Sequence, residues 1–260
     1  MKKIYGLLFL IMMFCVGCEW QLKPNSAEDE VQVTIERYDR IESLYLTTGD
    51  YSALQQMNAN YPMQTRMLIE NVLRIGKVDD AEINTRLLKF FKDSTLQRML
   101  VDVGRQYGDM DDVNEELSEA FGRLKEEMPG VEIPQCYAQV GSFDQSIIVG
   151  YNTLGISLDN YLGSEYPFYQ QHYDERQRSL MTRDMIVPDC MSFYLLSLFP
   201  LPNQQESPLE QRNEHMGRIQ YVVNSLVHRQ VFDNPYVKKA EKQYKADKHQ
   251  TLQQFLTVTL

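Results

Sequence analysis

The residues that come nearest to a metal site lie between positions 172 and 176, where the sequence reads HYDER. A zinc peptidase helix carries two histidines one turn apart, because both must face the same ion. Here Arg176 stands where the second histidine would be, and a guanidinium cannot ligate zinc. The apolar segment from Pro188 to Phe199 contains no histidine. We therefore predict no metal site, no catalytic site and no cofactor.

Two carboxylates and a group of tyrosines are the remaining candidates for function. Asp159 and Asp189 stand at the ends of predicted elements, where they face either a partner or a pocket. The simpler interpretation, which we favour, places Asp189 in the first turn of a helix and makes Asp159 the cap of a strand. Tyrosines in such a segment are more often core residues, yet tyrosine is also enriched in binding hot spots. The predicted interaction surface therefore consists of Asp159, Tyr161, Tyr166, Tyr169 and Asp189.

Three short strands are predicted to position these residues. Leu154, Ile156 and Leu158 alternate with small or polar residues, which is the pattern of a strand with one buried face. A second strand at 147–151 is separated from the first by a short connection, so the two form a hairpin. A third strand is predicted at 136–141. Together they predict a small antiparallel β-meander.

The rest of the chain is predicted to be helical, because apolar residues recur at helical spacing between capping residues, glycines and prolines. The first helix is predicted from Ser26, with Tyr38 on its buried face and Gly49 at its end. Pro188 is predicted to open an apolar helix. The predicted fold class is α+β, mainly α-helical, in a single domain over residues 26–250 with central strands at about 135–159.

The N-terminus has the pattern of a secretory signal. Lys2 and Lys3 precede an apolar run from Ile4 to Val16, and Gly17 stands directly before Cys18. The run is too short to remain in a bilayer as a spanning helix. We therefore predict that a signal peptide of residues 1–17 is removed.

A small residue directly before a cysteine resembles the lipobox of bacterial lipoproteins, in which that cysteine is acylated. Cys15 replaces the leucine that is usual three places earlier, and cleavage elsewhere is the alternative. We predict a lipid, such as palmitate, on Cys18 and a polar tether over residues 18–25. The lipid would attach the protein to a membrane of the cell envelope, and the outer membrane is the predicted location.

The formal net charge of −10 bears on the possible partners. Such a charge disfavours nucleic acid and anionic lipid surfaces, so membrane contact should come from the lipid anchor. Cys136 and Cys190 could form a disulfide in an oxidising envelope. Both lie in apolar contexts, and we prefer two separate buried thiols.

Two segments, LGISLDNYLGSEYPFY at 154–169 and MIVPDCMSFYLLSLFP at 185–200, resemble the gliding-motility lipoprotein family GldB. In that family a strand runs into L-D-x-Y-L-G, then an aromatic Y-x-x-Y region, then an I-V-x-D helix that ends in proline. The resemblance extends over about residues 51–200 and implies a membrane-anchored, non-enzymatic lipoprotein linked to cell-surface machinery. The matching residues are Leu158, Asp159, Tyr161, Leu162, Gly163, Tyr166, Tyr169, Ile186, Val187 and Asp189.

The predicted function is that of a non-catalytic envelope lipoprotein, a component or accessory of cell-envelope machinery that binds envelope proteins. One alternative is a periplasmic module that binds peptide or glycan, which predicts an aromatic-lined cleft around Tyr161 to Tyr173. A further alternative is a zinc peptidase-like protein that has lost its metal site.

Overall fold

A computed structural model describes residues 31–203, 205–247 and 249–257 of the chain. The predicted signal peptide, the predicted lipid site at Cys18 and the tether lie outside the described residues. From Val31 onward the chain forms one compact unit. Within these residues, no helix combines the length and the apolar character that crossing a bilayer requires.

The fold is mainly helical with a small sheet, as predicted. The chain before the sheet forms helices α1 (Tyr38–Thr48), α2 (Tyr51–Asn60), α3 (Pro62–Met67), α4 (Ile83–Phe90), α5 (Ser94–Gln106) and α6 (Asp111–Glu127). A π-helical turn, Leu68–Val72, continues α3. The strands are β1 (Gln135–Gln139), β2 (Ile147–Gly150) and β3 (Thr153–Ser157). After them come α7 (Pro167–His172), α8 (Glu175–Arg178), α9 (Ile186–Leu198), α10 (Leu209–Leu226), α11 (Pro235–Ala246) and α12 (Leu252–Leu256), with 3₁₀ turns at Leu158–Asn160 and Arg183–Met185.

The sheet is mixed, with strand order β1-β3-β2. The β2–β3 hairpin is confirmed, because Ile147 lies opposite Ile156 in an antiparallel pair. The antiparallel meander is wrong for β1, which runs parallel to β3 with Cys136 opposite Leu154. The loop at 140–146 carries the chain past the end of β3, so that β3 lies between the other two strands.

The first described helix begins at Tyr38, so the predicted start near Ser26 is wrong for the residues from Val31 onward. The reason is that the preceding backbone bonds to other elements. Ile35 donates its N–H to the side-chain oxygen of Asn114 in α6 at 3.0 Å. Glu36 pairs in parallel with β1 and receives an N–H bond from it. Helical geometry would remove both interactions.

Helix α9 lies at the centre of the core, packed against β2, β3, α6 and α10. It begins at Ile186 and not at Pro188, because the 3₁₀ turn Arg183–Met185 leads directly into it. Cys136 and Cys190 are both free and buried. Burial raises the pKa of the Cys136 thiol to about 12 and raises that of Cys190 well above its usual value, so both thiols are protonated and serve as small apolar groups.

Candidate functional site: an aromatic cleft

A surface cleft of about 610 Å³ lies where the end of the α3 segment, the β1–β2 loop and α7 meet. This volume is within the range of roughly 300–1,000 Å³ that is usual for sites that bind small ligands or short segments. Most of its lining residues are aromatic or aliphatic, yet their exposed surface is about evenly divided between polar and apolar atoms. The lining residues are Val72, Leu73, Arg74, Phe90, Ser142, Phe143, Asp144, Phe168, His172 and Tyr173.

One side of the cleft is formed where α3 ends irregularly. The π-helical turn Leu68–Val72 widens the helix by one residue per turn, and Arg74 then adopts a left-handed conformation with φ of 53°. Its Nε donates to the carbonyl of Asn71 at 3.2 Å, and its side chain is 66% exposed. The guanidinium lies 4.0 Å from a carboxylate oxygen of Asp144, which is a loose ion pair across the cleft. Arg74 and Asp144 are therefore a donor and an acceptor that solvent can reach.

The opposite side is the β1–β2 loop, whose backbone is held by two buried carboxylates. The N–H groups of Gly141 and Phe143 each donate to a different carboxylate oxygen of Asp159 at 2.7 Å. The N–H of Val140 donates to Glu42 at 2.9 Å. These bonds hold Phe143 at φ of 63°, a left-handed conformation that is costly for a bulky residue. The loop that forms this wall is thus fixed from beneath.

The rings of the cleft pack against one another. Phe143 stacks on Phe168 with ring centres 4.0 Å apart and an angle of 15° between the planes. His172, one turn later in α7, lies 4.3 Å from the same Phe168 ring. The hydroxyl of Tyr173 donates to the carbonyl of Phe143 at 3.1 Å. The wall is therefore a continuous aromatic surface joined to the fixed loop.

Asp159 is fully buried, and burial raises its pKa to about 6 although the N–H groups of Gly141 and Phe143 act in the opposite direction. Glu42 is also fully buried, and burial raises its pKa well above the usual value. Both carboxyl groups accept backbone hydrogen bonds in the interior and so hold the β1–β2 loop in position. Asp159 lies in the 3₁₀ turn after β3, but its carboxylate binds the loop that follows β1, and its side chain does not reach the surface.

Tyr161 is also buried, with 1% of its surface exposed, and its hydroxyl donates to Asp189 at 2.9 Å. Asp189 lies in the first turn of α9, as predicted. The helix dipole would lower its pKa there, yet burial outweighs that effect and raises the pKa to about 6. Tyr161 and Asp189 therefore join the segment after β3 to the central helix.

Tyr169 is fully buried, and its hydroxyl donates to the carbonyl of Asp159 while it accepts the N–H of Leu162 at 3.1 Å. Tyr166 is half-buried, and its hydroxyl donates to Asp102 at 3.3 Å. Of the five predicted surface residues, Asp159, Tyr161 and Tyr169 thus lie beneath the surface. Their polar atoms have partners in the interior, which is the physical reason that they are not exposed.

The cleft also contains residues that the sequence analysis did not select, notably Arg74, Phe90 and Asp144. Phe168 and His172 do lie within the segment from Tyr161 to Tyr173 for which the alternative prediction gave an aromatic cleft, and their spacing of one helical turn places both rings on one face of α7. Nothing in the sequence near Arg74 marks its left-handed backbone. In the part of the chain that the structure describes, no group of three or more histidine, cysteine, aspartate or glutamate residues is placed to hold a metal ion.

The comparison with known families agrees with the resemblance seen in the sequence. The family described as gliding motility protein GldB matches residues 19–253, which is most of the chain and includes every strand and every lining residue of the cleft. No curated protein and no solved structure matches the chain. The predicted resemblance is confirmed, and the chain belongs to the GldB family of gliding-motility lipoproteins.

Proposed function

We propose that this protein is a non-catalytic component of the cell-envelope machinery, attached to the outer membrane by a lipid on Cys18, and that it acts by binding envelope proteins. The family membership supports the link to gliding machinery and the envelope. The lipid site, the membrane and the partners are parts of the proposal.

The observation that carries the proposal is the contrast between the interior and the surface of the segment after β3. The polar atoms of Asp159, Tyr161 and Tyr169 are used in bonds within the fold. Such bonds hold the region in one shape, and a surface that is already ordered loses less conformational entropy when it binds. The open part of the same region is the aromatic cleft, which solvent can reach.

The charge of the described surface supports attachment by a lipid in preference to a basic patch. The lysines of α11 are the densest positive run, yet acidic partners offset them. Lys238 lies 2.7 Å from Asp233, and Lys245 lies 2.6 Å from Glu241. Lys239 pairs with Glu214 as well. These pairs reduce the attraction of α11 for anionic lipid.

The test is crosslinked capture from membranes, comparing the full chain with its Cys18→Ala variant. We expect the wild type to fractionate with the outer membrane and to recover the same envelope proteins in each repeat. The variant should be found in the soluble fraction and lose those proteins. Membrane attachment that persists in Cys18→Ala would contradict the proposed anchor, and the absence of any specific partner with the wild type would contradict the binding role.

A second candidate function is a periplasmic module that binds peptide or glycan. The aromatic lining of the cleft favours it, although the lining rings do not include Tyr161; they are Phe90, Phe143, Phe168, His172 and Tyr173. Such a module needs no membrane partner. A soluble ligand that raises the melting temperature of the Cys18→Ala variant would distinguish it from the first proposal.

A further inference from the structure

Three departures from regular backbone geometry meet at the cleft. The π-helical turn Leu68–Val72 leads into it, and Arg74 and Phe143 both line it in left-handed conformations. For Arg74, which directly follows the helix cap Leu73, a left-handed conformation is a common way to end a helix, whereas for the bulky Phe143 it is costly, and such strain is concentrated at binding and active sites. Phe143 is kept in place by the fully buried Asp159. The cleft is therefore a shape that the rest of the fold maintains.

The aromatic wall indicates the apolar part of a ligand. Phe168 already packs against two other rings. Its ring centre lies 4.0 Å from that of Phe143 and 4.3 Å from that of His172. A ring with two aromatic neighbours offers its edge and not a free face. Sugar rings bind best on a free aromatic face, whereas an aliphatic or aromatic side chain packs well against ring edges. Phe168 thus suits a side chain better than it suits a sugar ring.

The two charged residues of the cleft, Arg74 and Asp144, indicate the polar part of the ligand. Arg74 supplies only hydrogen-bond donors, and Asp144, when ionised, supplies only acceptors. Their 4.0 Å ion pair is loose and solvent-exposed, so it is weak and easily replaced by ligand contacts. A peptide backbone presents both a C=O for Arg74 and an N–H for Asp144 within one or two residues. An apolar side chain on that backbone can then reach the aromatic wall.

We infer that the cleft binds an extended peptide segment of an envelope protein, with an apolar side chain against Phe168 and Phe90 and the adjoining main chain on Arg74 and Asp144. This inference rests on the proposed function, because it names the means by which the partner is held. It assigns to the cleft a ligand class and to Arg74 a binding role.

The test uses the variant Arg74→Gly. It separates a binding role of the Arg74 side chain from a structural role, because the expected loss of affinity is not accompanied by a loss of stability. Glycine adopts φ of 53° without strain, so the variant should keep or raise its melting temperature. Loss of the guanidinium should weaken peptide binding by about tenfold or more. The probe is a random seven-residue peptide library displayed on phage and selected on the immobilised full chain. Selected peptides are then synthesised with a fluorescent label, and their affinity is measured by anisotropy.

The matched control is Arg98→Ala, which removes an exposed arginine with a similarly loose pair, 3.9 Å from Asp102, outside the cleft lining. It should bind the selected peptides as the wild type does, whereas the exposed cleft variant His172→Ala should bind several-fold more weakly. Failure to select any peptide, or equal affinity for wild type and Arg74→Gly, would overturn the inference. So would chitotetraose raising the melting temperature in a His172-dependent manner while no peptide binds.

The two proposals fail in different ways. If Arg74→Gly recovers the same envelope proteins from membranes as the wild type does, the cleft inference is wrong and the proposed function stands. If the peptides bind but no envelope protein is recovered in a Cys18-dependent manner, the cleft binds peptide and the proposed membrane role is wrong.

Discussion

The two loops that flank β2 each contain a non-glycine residue in the left-handed conformation, and they achieve it in different ways. Asn152, at φ of 51°, lies in the short β2–β3 turn, where asparagine is a favoured residue. Its neighbour Tyr151 is 98% exposed. Phe143, at φ of 63°, lies in the β1–β2 loop, is buried, and is a residue that disfavours this conformation. The first loop is an ordinary turn, whereas the second needs support from the fold.

That support comes from Asp159. A left-handed conformation costs roughly 1–2 kcal/mol for an ordinary residue. Hydrogen bonds to a charged group contribute about 1.5–3 kcal/mol each, and Asp159 accepts two from the loop. Both amides and both carboxylate oxygens are thus paired, so the loop keeps a single shape, although burying the carboxylate also has a cost. The loop that lines the cleft is therefore held by hydrogen bonds from another part of the fold, whereas the hairpin turn relies on its own turn residue.

The largest expected effect is that of Asp159→Ala. The change leaves the buried N–H groups of Gly141 and Phe143 without their acceptor. We expect the free energy of unfolding to fall by about 3–5 kcal/mol in urea titrations. The exposed Asp144→Ala is the control and should change it by about 0.5 kcal/mol or less. A loss below about 1 kcal/mol for Asp159→Ala would show that the loop does not depend on this carboxylate.

Glycine at the two left-handed positions tests the comparison itself. Phe143→Gly relieves strain but removes a buried ring, so we expect a net loss of about 2–3 kcal/mol in the free energy of unfolding. Asn152→Gly should change the free energy of unfolding by roughly a few tenths of a kcal/mol. Asp159→Ala should cost more in the Phe143→Gly background, by about 0.5–2 kcal/mol, because the wild-type loop can relax its strain when Asp159 is lost and the glycine loop has none to relax. Strict additivity of the two changes would contradict that link.

A smaller effect is expected from pH. Burial raises the pKa values of Asp159 and Asp189 to about 6, above the value of about 3.9 for an unfolded chain. The unfolded state therefore binds fewer protons than the folded state at intermediate pH, and stability must increase as the pH falls. From pH 8 to pH 5, each carboxyl group should add about 1–1.5 kcal/mol to the free energy of unfolding.

Asp189→Asn is the variant that isolates one of these contributions. Its amide oxygen can still accept the hydroxyl of Tyr161, so the bond to α9 is kept. In denaturant titrations at several pH values, we expect the free energy of unfolding of this variant to depend less on pH than that of the wild type. A slope equal to that of the wild type would mean that Asp189 does not titrate in this range.

Local patterns predicted the helical content, the β2–β3 hairpin and the first-turn position of Asp189, because spacing and turn residues determine these features. The parallel pairing of β1 could not be predicted, since β1 pairs with β3 and not with β2, the next strand along the chain, and local patterns do not specify such a partner. The burial of Tyr161 and Tyr169 depends on distant partners for their hydroxyls. The left-handed Arg74 follows a π-helical turn that tertiary packing sets and that has no marker in the sequence.

The most direct test of a binding role for the cleft is site-specific photo-crosslinking in intact cells. A benzophenone amino acid is placed at His172, in the cleft wall, or at Tyr151, at the exposed hairpin turn. We predict a discrete crosslink to an envelope protein from position 172 and none from position 151, although Tyr151 is far more accessible. Equal crosslinking from both positions, or crosslinking from position 151 alone, would contradict the account.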